Sequence, residues 1–246
     1  MFAATISDPT GFLYDTRHCP AEGCPAPDCR PATCNMVECP LLKRLGKTKA
    51  YEPGDIVFWE GDEADRYYLV ISGVLRGCKL LSDGRRQISR FVFPGDLMAY
   101  SGTEAFPYSA EAVTPVTVLA IPRPGFDTTT EENACLQRLV TKSLLDELRD
   151  TQDQVLLLGR MTAAERVSHF LAALARRTPA PGGVDGVVEL PMSRADIADF
   201  LGLTIETVSR VLSRFKRDGK ISMIGHNRIV LNELAALADT SGDLAA

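Results

Sequence analysis

Five cysteines near the N-terminus form the most chemically distinctive pattern in the 246-residue chain. They recur at a strict five-residue step in a segment rich in proline and alanine: Cys19, Cys24, Cys29, Cys34 and Cys39. Thiolates can bind iron or zinc, or can be oxidised reversibly. A segment of this composition buries little apolar surface, so we expect it to need something that holds it in place. The spacing predicts a metal or redox site in an irregular N-terminal arm.

The rest of the composition favours a cytoplasmic protein. The N-terminus has no basic region followed by a long apolar run, so we expect no secretory signal. No stretch approaches 18 uninterrupted apolar residues, so we expect no membrane span. Structural disulfides are rare in the cytoplasm, and the seven cysteines therefore favour a metal, redox or catalytic role.

Catalysis is not expected from the remaining chemistry. The three histidines, His18, His169 and His226, lie far apart in the chain. No nucleophile elbow, phosphate-binding loop or zinc-protease motif occurs. The sequence therefore predicts a protein that is not an enzyme.

A second motif lies near the C-terminus, in the segment SRADIADFLGLTIETVSRVLSRFKRDGKI. Ser193 and Asp196 form an approximate capping box at the start of one helix. Gly202 ends that helix, and Thr204 is the expected N-cap of the next. The two helices have apolar inward faces, made of Ile197, Phe200 and Leu201 in the first and of Val208, Leu212 and Phe215 in the second. Two short helices joined by a glycine-containing turn match the helix-turn-helix pattern.

The outward face of the second helix has the chemistry of a major-groove reader. Arg210 can donate to guanine, Glu206 can accept from cytosine, and Ser209 is a short adaptable donor. The segment KISMI-GHNR-IVL predicts a β-hairpin wing whose tip carries His226 or Arg228. The expected contacts to the DNA backbone are Thr204, Ser213, Arg214, Arg217 and Arg228.

Local charge supports a DNA-binding role. The whole chain has a net charge of −5, which argues against general coating of nucleic acid. Residues 192–228 nevertheless contain seven basic and four acidic residues, a balance of +3. The alternatives are a solvated helix face, or a metal- or redox-responsive interaction protein whose helix-turn-helix is purely structural.

The middle of the chain predicts two further units. Residues 50–122 alternate short apolar runs with turn signals, as in a small β-sandwich or barrel, and Asp83-Gly84 predicts a hairpin turn. Residues 131–160 predict a long helix. Its apolar residues recur at steps of four and three along a narrow seam: Leu144, Leu148, Thr151, Val155 and Leu158. Such a seam favours pairing with a second copy, and the alternative is packing against the helix's own domain.

With these elements the chain resembles the CRP/FNR superfamily of bacterial transcription regulators over roughly residues 46–236. The motifs LGLTIETVSR and CKLLSDGRRQISRFVFPGD are most similar to the FNR and FixK branches. The resemblance implies an α+β fold with a cyclic-nucleotide-binding-like β-roll (jelly roll), a long dimerisation helix and a C-terminal winged helix-turn-helix. We therefore expect a Cys-rich arm at 1–45, the β-roll sensor at 46–130, the dimerisation helix at 131–160, the DNA-binding domain at 161–236 and a flexible tail at 237–246.

The resemblance also implies partners. In the FNR and FixK branches the Glu, Ser and Arg of E-x-x-S-R contact a TTGAT-type palindrome in double-stranded DNA. The matching positions are Glu206, Ser209 and Arg210. Members act as homodimers and contact RNA polymerase, usually as activators.

Cyclic nucleotide binding is not expected, because two residues of the family's phosphate pocket differ. Relatives that bind cyclic AMP use a Gly-Glu-Leu stretch and a downstream Arg-Ser or Arg-Thr. Here Asp96 stands where the glutamate would be, and Tyr108-Ser109 stands where Arg-Ser would be. Without that arginine, burying a phosphate would be costly.

FNR-type relatives hold a [4Fe–4S] cluster with three N-terminal cysteines and a fourth in the β-domain. Leu119 lies near the position of that fourth cysteine, Cys78 is expected to be a buried apolar residue, and Cys135 is a distant alternative ligand. The five arm cysteines could supply four ligands by themselves. Three interpretations therefore stay open: a cluster that senses oxygen or nitric oxide, zinc or reversible thiol oxidation, and an arm that senses nothing.

Overall fold

The computed structural model describes residues 35–98, 104–178, 186–225 and 227–232. The helices are Pro40–Leu45 (α1), Arg123–Glu132 (α2), Ala134–Arg160 (α3), Ala163–Arg177 (α4), Arg194–Leu201 (α5) and Ile205–Arg217 (α6), with a short 3₁₀ turn at Met36–Glu38. The strands are Lys47–Tyr51 (β1), Ile56–Phe58 (β2), Arg66–Ser72 (β3), Leu75–Leu80 (β4), Arg86–Val92 (β5), Leu97–Met98 (β6), Ser109–Ala112 (β7), Val116–Pro122 (β8), Val187–Glu189 (β9), Ile221–Ile224 (β10) and Arg228–Leu231 (β11). None of the helices in this described part combines the length and apolar character needed to cross a membrane.

The first eight strands form two antiparallel four-stranded sheets, with strand orders β1-β8-β3-β6 and β2-β7-β4-β5. Both sheets contribute side chains to one apolar core, including Phe58, Tyr68, Leu75, Met98, Ala110 and Val118. Asp83 and Gly84 form the predicted turn between β4 and β5, and Gly84 adopts φ 83°. The expected β-roll is confirmed.

Helix α3 begins three residues later than expected, because a separate helix precedes it. The break falls at the buried Asn133, which ends α2 and caps α3 by accepting a hydrogen bond from the Leu136 amide at 3.2 Å. The N-terminal half of α3 packs on the β-roll through Leu136 and Val140. Its 27 residues span about 40 Å, long enough to extend beyond the β-roll.

The C-terminal region is the predicted winged helix-turn-helix. Thr162 and Glu165 form a capping box at the start of α4. Strands β9, β10 and β11 form a small antiparallel sheet in the order β10-β11-β9, and β10 and β11 are the predicted wing. The core of this region packs α4, α5 and α6 together and extends to β4 and β5 of the β-roll. The expected fold class is confirmed.

Candidate DNA-binding interface

The turn between α5 and α6 follows the predicted local rules. The Ser193 hydroxyl accepts from the Asp196 amide at 3.1 Å, and the Asp196 carboxylate accepts from the Ser193 amide at 3.1 Å, which completes the capping box. Gly202 ends α5 in the left-handed region at φ 62°. Thr204 caps α6 by accepting from the Thr207 amide at 3.2 Å. These contacts fix the direction in which α6 leaves the turn.

Helix α6 separates an apolar inner face from a polar outer face. Val208, Leu212 and Phe215 are buried against the rest of the domain, as expected. Glu206 and Arg210 are exposed, and Ser209 is half-buried between them. The three candidate base readers therefore share the outer face of the first two turns, the part of a recognition helix that reaches base edges.

The protonation state of Glu206 suits its expected role. Hydrogen bonds from its own backbone amide and from the Thr204 hydroxyl hold the pKa of Glu206 below its usual value. An ionised carboxylate can accept from a cytosine amino group. Nearby, the Arg210 guanidinium makes two long contacts within the described part of the chain, each at 3.4 Å, to the Glu206 carbonyl and the Thr207 hydroxyl.

The candidate backbone contacts surround this face. Ser213, Arg214 and Arg217 are exposed further along α6, and Arg228 is exposed at the start of β11 in the wing. Asp218 ends α6 and lies 3.7 Å from both Arg214 and Arg217. Position 226, the other candidate at the wing tip, lies outside the described residues.

The exposed surface is more basic than the residue count of this region suggests. The negative charges of Asp196 and Asp199, both in α5, are paired with arginines of the β-roll. Asp196 pairs with Arg76 and Arg86, and Asp199 pairs with Arg86. Glu206 and Asp218 are the remaining acidic residues between positions 192 and 228. A phosphate backbone would therefore meet a predominantly positive face.

Two residues of this face were not singled out by the sequence. Ile205 is an exposed apolar side chain in the first turn of α6. The Thr207 hydroxyl contacts Arg210 and Thr204. Its spacing three residues before Arg210 was a signal for the first contact, because side chains three apart on a helix are neighbours.

The C-terminal half of α3 has an exposed apolar stripe that overlaps the predicted seam. Leu148 and Val155 are 54% and 66% exposed, and Leu158 is also exposed. Thr151 is exposed, and its hydroxyl donates to the Glu147 carbonyl at 2.8 Å. The predicted Leu144 is instead partly buried against the apolar cluster that α1, α2 and α3 form with strands of the β-roll. Leu145 and Leu156, which the seam omitted, extend the stripe.

The expected cysteine site can be assessed at one position. Cys19, Cys24, Cys29 and Cys34 lie outside the described residues. Cys39 precedes α1, and its side chain is buried in an apolar cluster with Met36 and Leu42. Among the described residues, no group of three or more His, Cys, Asp or Glu side chains could hold a metal ion. The structure thus places the Cys39 thiol among apolar side chains, and its expected metal or redox role stays a prediction.

Cys78 and Cys135, the two cysteines outside the N-terminal arm, have different surroundings. Cys78 lies in β4 as the expected buried residue, and burial raises the pKa of its thiol. Cys135 is half-buried in the first turn of α3. The raised pKa disfavours the thiolate form that reacts and binds metals, so Cys78 has a packing role.

The residues at the family's phosphate-pocket positions have other partners. Asp96 accepts from the Phe93 amide at 2.9 Å and pairs with Arg177 of α4 at 2.6 Å. The Tyr108 ring lies 5.8 Å from that of Phe58. Asp96 therefore joins the β-roll to the C-terminal domain.

Two known domain families match the two halves of the chain. Residues 48–133 match the cyclic nucleotide-binding domain family, and residues 165–240 match the Crp-like helix-turn-helix domain family. The first name denotes the β-roll fold and does not by itself show that a nucleotide binds.

Individual relatives match over most of their length. The chain is 41% identical to the nitrogen fixation regulation protein FixK of Bradyrhizobium diazoefficiens, over 74% of this chain and 77% of FixK. It is 32% identical to the transcriptional activator protein FnrL of Cereibacter sphaeroides, over 84% of this chain and 85% of FnrL. The solved structure of FixK2 from Bradyrhizobium japonicum aligns with a TM-score of 0.75 at 36% identity, covering 81% of this chain and 99% of FixK2.

Proposed function

The chain belongs to the CRP/FNR superfamily of DNA-binding transcription regulators, and we propose that it binds a TTGAT-type palindrome as a homodimer and activates transcription with RNA polymerase. The main support for DNA binding is the outer face of α6, on which Glu206, Ser209 and Arg210 lie together in the first two turns. The family's E-x-x-S-R motif falls on these positions. FixK is named as a regulation protein and FnrL as a transcriptional activator, and these names support activation as the outcome.

A dimer is the form that this site requires. A palindrome presents two half-sites about one helical turn apart, so two recognition helices must be held at that spacing. The exposed stripe of α3 supports pairing, because an unpaired monomer would leave Leu148, Val155 and Leu156 in water. The cytoplasm, where the chromosome lies, is the corresponding location.

The signal is proposed to act through the N-terminal arm. The five arm cysteines form the candidate ligand set for a [4Fe–4S] cluster, which would supply sensitivity to oxygen or nitric oxide. Cys39 and α1 lie in one apolar cluster with Leu136 and Val140 of α3. A change in the arm would thus reach the helix that is proposed to pair. Zinc, thiol oxidation and a non-sensing arm are the alternatives.

One experiment on the full chain, purified without oxygen, tests these proposals. Footprinting compares a duplex carrying the TTGAT…ATCAA palindrome with a duplex of scrambled sequence, and we expect protection of the palindrome alone. Equal binding to both duplexes would contradict base reading by α6.

Iron and sulfide are assayed on the same sample. Equal amounts, with a visible absorbance that bleaches in air, support the cluster, whereas colourless protein that still protects the palindrome excludes it.

A further inference from the structure

Helix α5 is held by side chains from outside the helix-turn-helix. We propose that the β4–β5 hairpin of the β-roll is a positioning element for DNA reading, with Arg86 as its central residue and Arg76 and Gln87 as its neighbours. These residues would not touch DNA. They would set the direction of α5, and through it that of α6. This positioning role rests on the DNA binding proposed above and adds a mechanical link from the sensor domain to the recognition helix.

The N-terminal end of α5 is bound through Asp196, which is only 3% exposed. One carboxylate oxygen accepts from Arg76 Nη1 and from Arg86 Nη2, each at 2.7 Å. The other oxygen accepts from the amide and the hydroxyl of Ser193, at 3.1 and 2.8 Å. The same carboxylate therefore caps the helix and receives two guanidinium groups from the β-roll. Charge-assisted bonds of this kind are stronger than neutral ones and fix direction.

A second carboxylate strengthens the contact. Arg86 Nε donates to Asp199 Oδ2 at 2.9 Å, so its guanidinium bridges two acidic residues one turn apart on α5. Burial by itself lowers the pKa of Arg86, but Asp199 and Asp196 outweigh burial and raise it. Arg76 is held from behind by an ion pair with Glu111 of β7. The Arg76 guanidinium is thus fixed to the sheet as well as to the helix.

The C-terminal end of α5 is bound through its carbonyl groups. The last carbonyls of a helix have no partner within the helix. Gln87 of β5 donates to the Asp199 carbonyl at 2.7 Å, and Gln154 of α3 donates to the Phe200 carbonyl at 2.8 Å. Arg166 of α4 donates to the Leu201 carbonyl at 2.8 Å. Three successive carbonyls are therefore bound by the β-roll, the long helix and the DNA-binding domain.

Aromatic packing closes the same interface. The Phe200 ring of α5 lies 5.3 Å from that of Phe91 in β5 and 5.7 Å from that of Phe170 in α4. A change in the position of α5 against the hairpin would disturb this packing as well as the ion pairs. Since interiors are closely packed, α5 is expected to occupy one arrangement rather than a continuum.

The functional consequence differs between specific and non-specific DNA. Reading a palindrome needs both recognition helices in register, whereas non-specific binding depends mainly on contacts to phosphates. Loosening α5 should therefore lower affinity for the palindrome more than affinity for scrambled DNA. A variant that merely unfolds would lower both affinities in proportion.

The test compares Arg86→Met with Arg85→Met in the full chain. Arg85 is the adjacent residue of the same hairpin, its side chain is 76% exposed, and it pairs with Asp83 in the turn. Both substitutions remove one positive charge. We expect Arg86→Met to weaken palindrome binding about 10-fold, within the range usual for coupling between sites. Arg85→Met should change it less than about twofold, and scrambled DNA should bind both variants equally.

Two further readouts distinguish positioning from direct contact. Arg86→Met should leave the dependence of affinity on salt unchanged, because a lost phosphate contact would reduce that slope by about one. Adding Asp199→Asn to Arg86→Met should weaken binding no more than about twofold further, since the two residues act through one contact. Equal palindrome affinities for the two arginine variants, a reduced salt slope, or multiplied effects of Arg86→Met and Asp199→Asn would each overturn the proposal.

Failure of DNA binding itself gives a separate result. If the unmodified chain binds both duplexes equally, the proposed function fails. The positioning role is then decided by amide hydrogen exchange without DNA. Faster exchange across α5 and α6 in Arg86→Met than in Arg85→Met would support it, and equal exchange would refute it.

Discussion

Truncation of Leu148 to alanine tests the proposed dimer seam, and the exposure of Leu148 sets how much the substitution should weaken the dimer. The substitution removes three carbons, about 2.4 kcal/mol of transfer free energy when fully buried. Leu148 is 54% exposed in one protomer, so about 1.3 kcal/mol of this depends on burial by a partner. A two-fold symmetric dimer loses that amount at both copies, about 2.6 kcal/mol in total. The dissociation constant of the dimer should rise about 70-fold.

Sedimentation equilibrium over a concentration series, without DNA, measures this constant. Arg149→Ala is the matched control, because Arg149 is the next residue on the same helix turn, its side chain is 73% exposed, and it points about 100° away. It should leave the dimer unchanged. If Leu148→Ala and Arg149→Ala give the same dissociation constant, or if the unmodified chain stays monomeric, the seam is not on this face of α3.

Three further predictions concern the recognition helix, the turn before it and pH. Arg210→Met should lower the binding free energy for the palindrome by about 1–3 kcal/mol per half-site and relax discrimination between the two duplexes. Arg217→Met should instead weaken binding to the palindrome and to scrambled DNA alike. Competition titrations measure both effects, and the reverse pattern would contradict the assignment. Gly202→Ala should lower the free energy of unfolding by about 1–2 kcal/mol, because φ is 62°, while Gly159→Ala within α3 should raise it in the same denaturation assay. Burial lowers the pKa of His169, so protonation favours the unfolded chain and stability should fall as the pH drops below about 6.5. Denaturant titrations of His169→Gln should show a flatter pH dependence, and an unchanged dependence would refute this cause.

Much of the recognition unit could be predicted from the sequence, because local rules specify it. The capping box at Ser193, the break at Gly202 and the N-cap at Thr204 each depend on residues within a few positions of one another. The inward positions Val208 and Phe215 follow from helical periodicity alone. The same periodicity identified most of the exposed stripe on α3.

The partners of these local elements were decided by tertiary structure. Asp196 was predicted as a cap, but nothing near it in the chain indicates that Arg76, 120 residues earlier, and Arg86, 110 residues earlier, share its carboxylate. Likewise, a five-residue cysteine step cannot reveal that Cys39 is buried against α1 while the spacing continues unchanged before it. Periodicity and capping describe which face of an element is apolar and where the element ends. Which distant element covers that face, or pairs with a charge on it, depends on how the sheets and helices pack together.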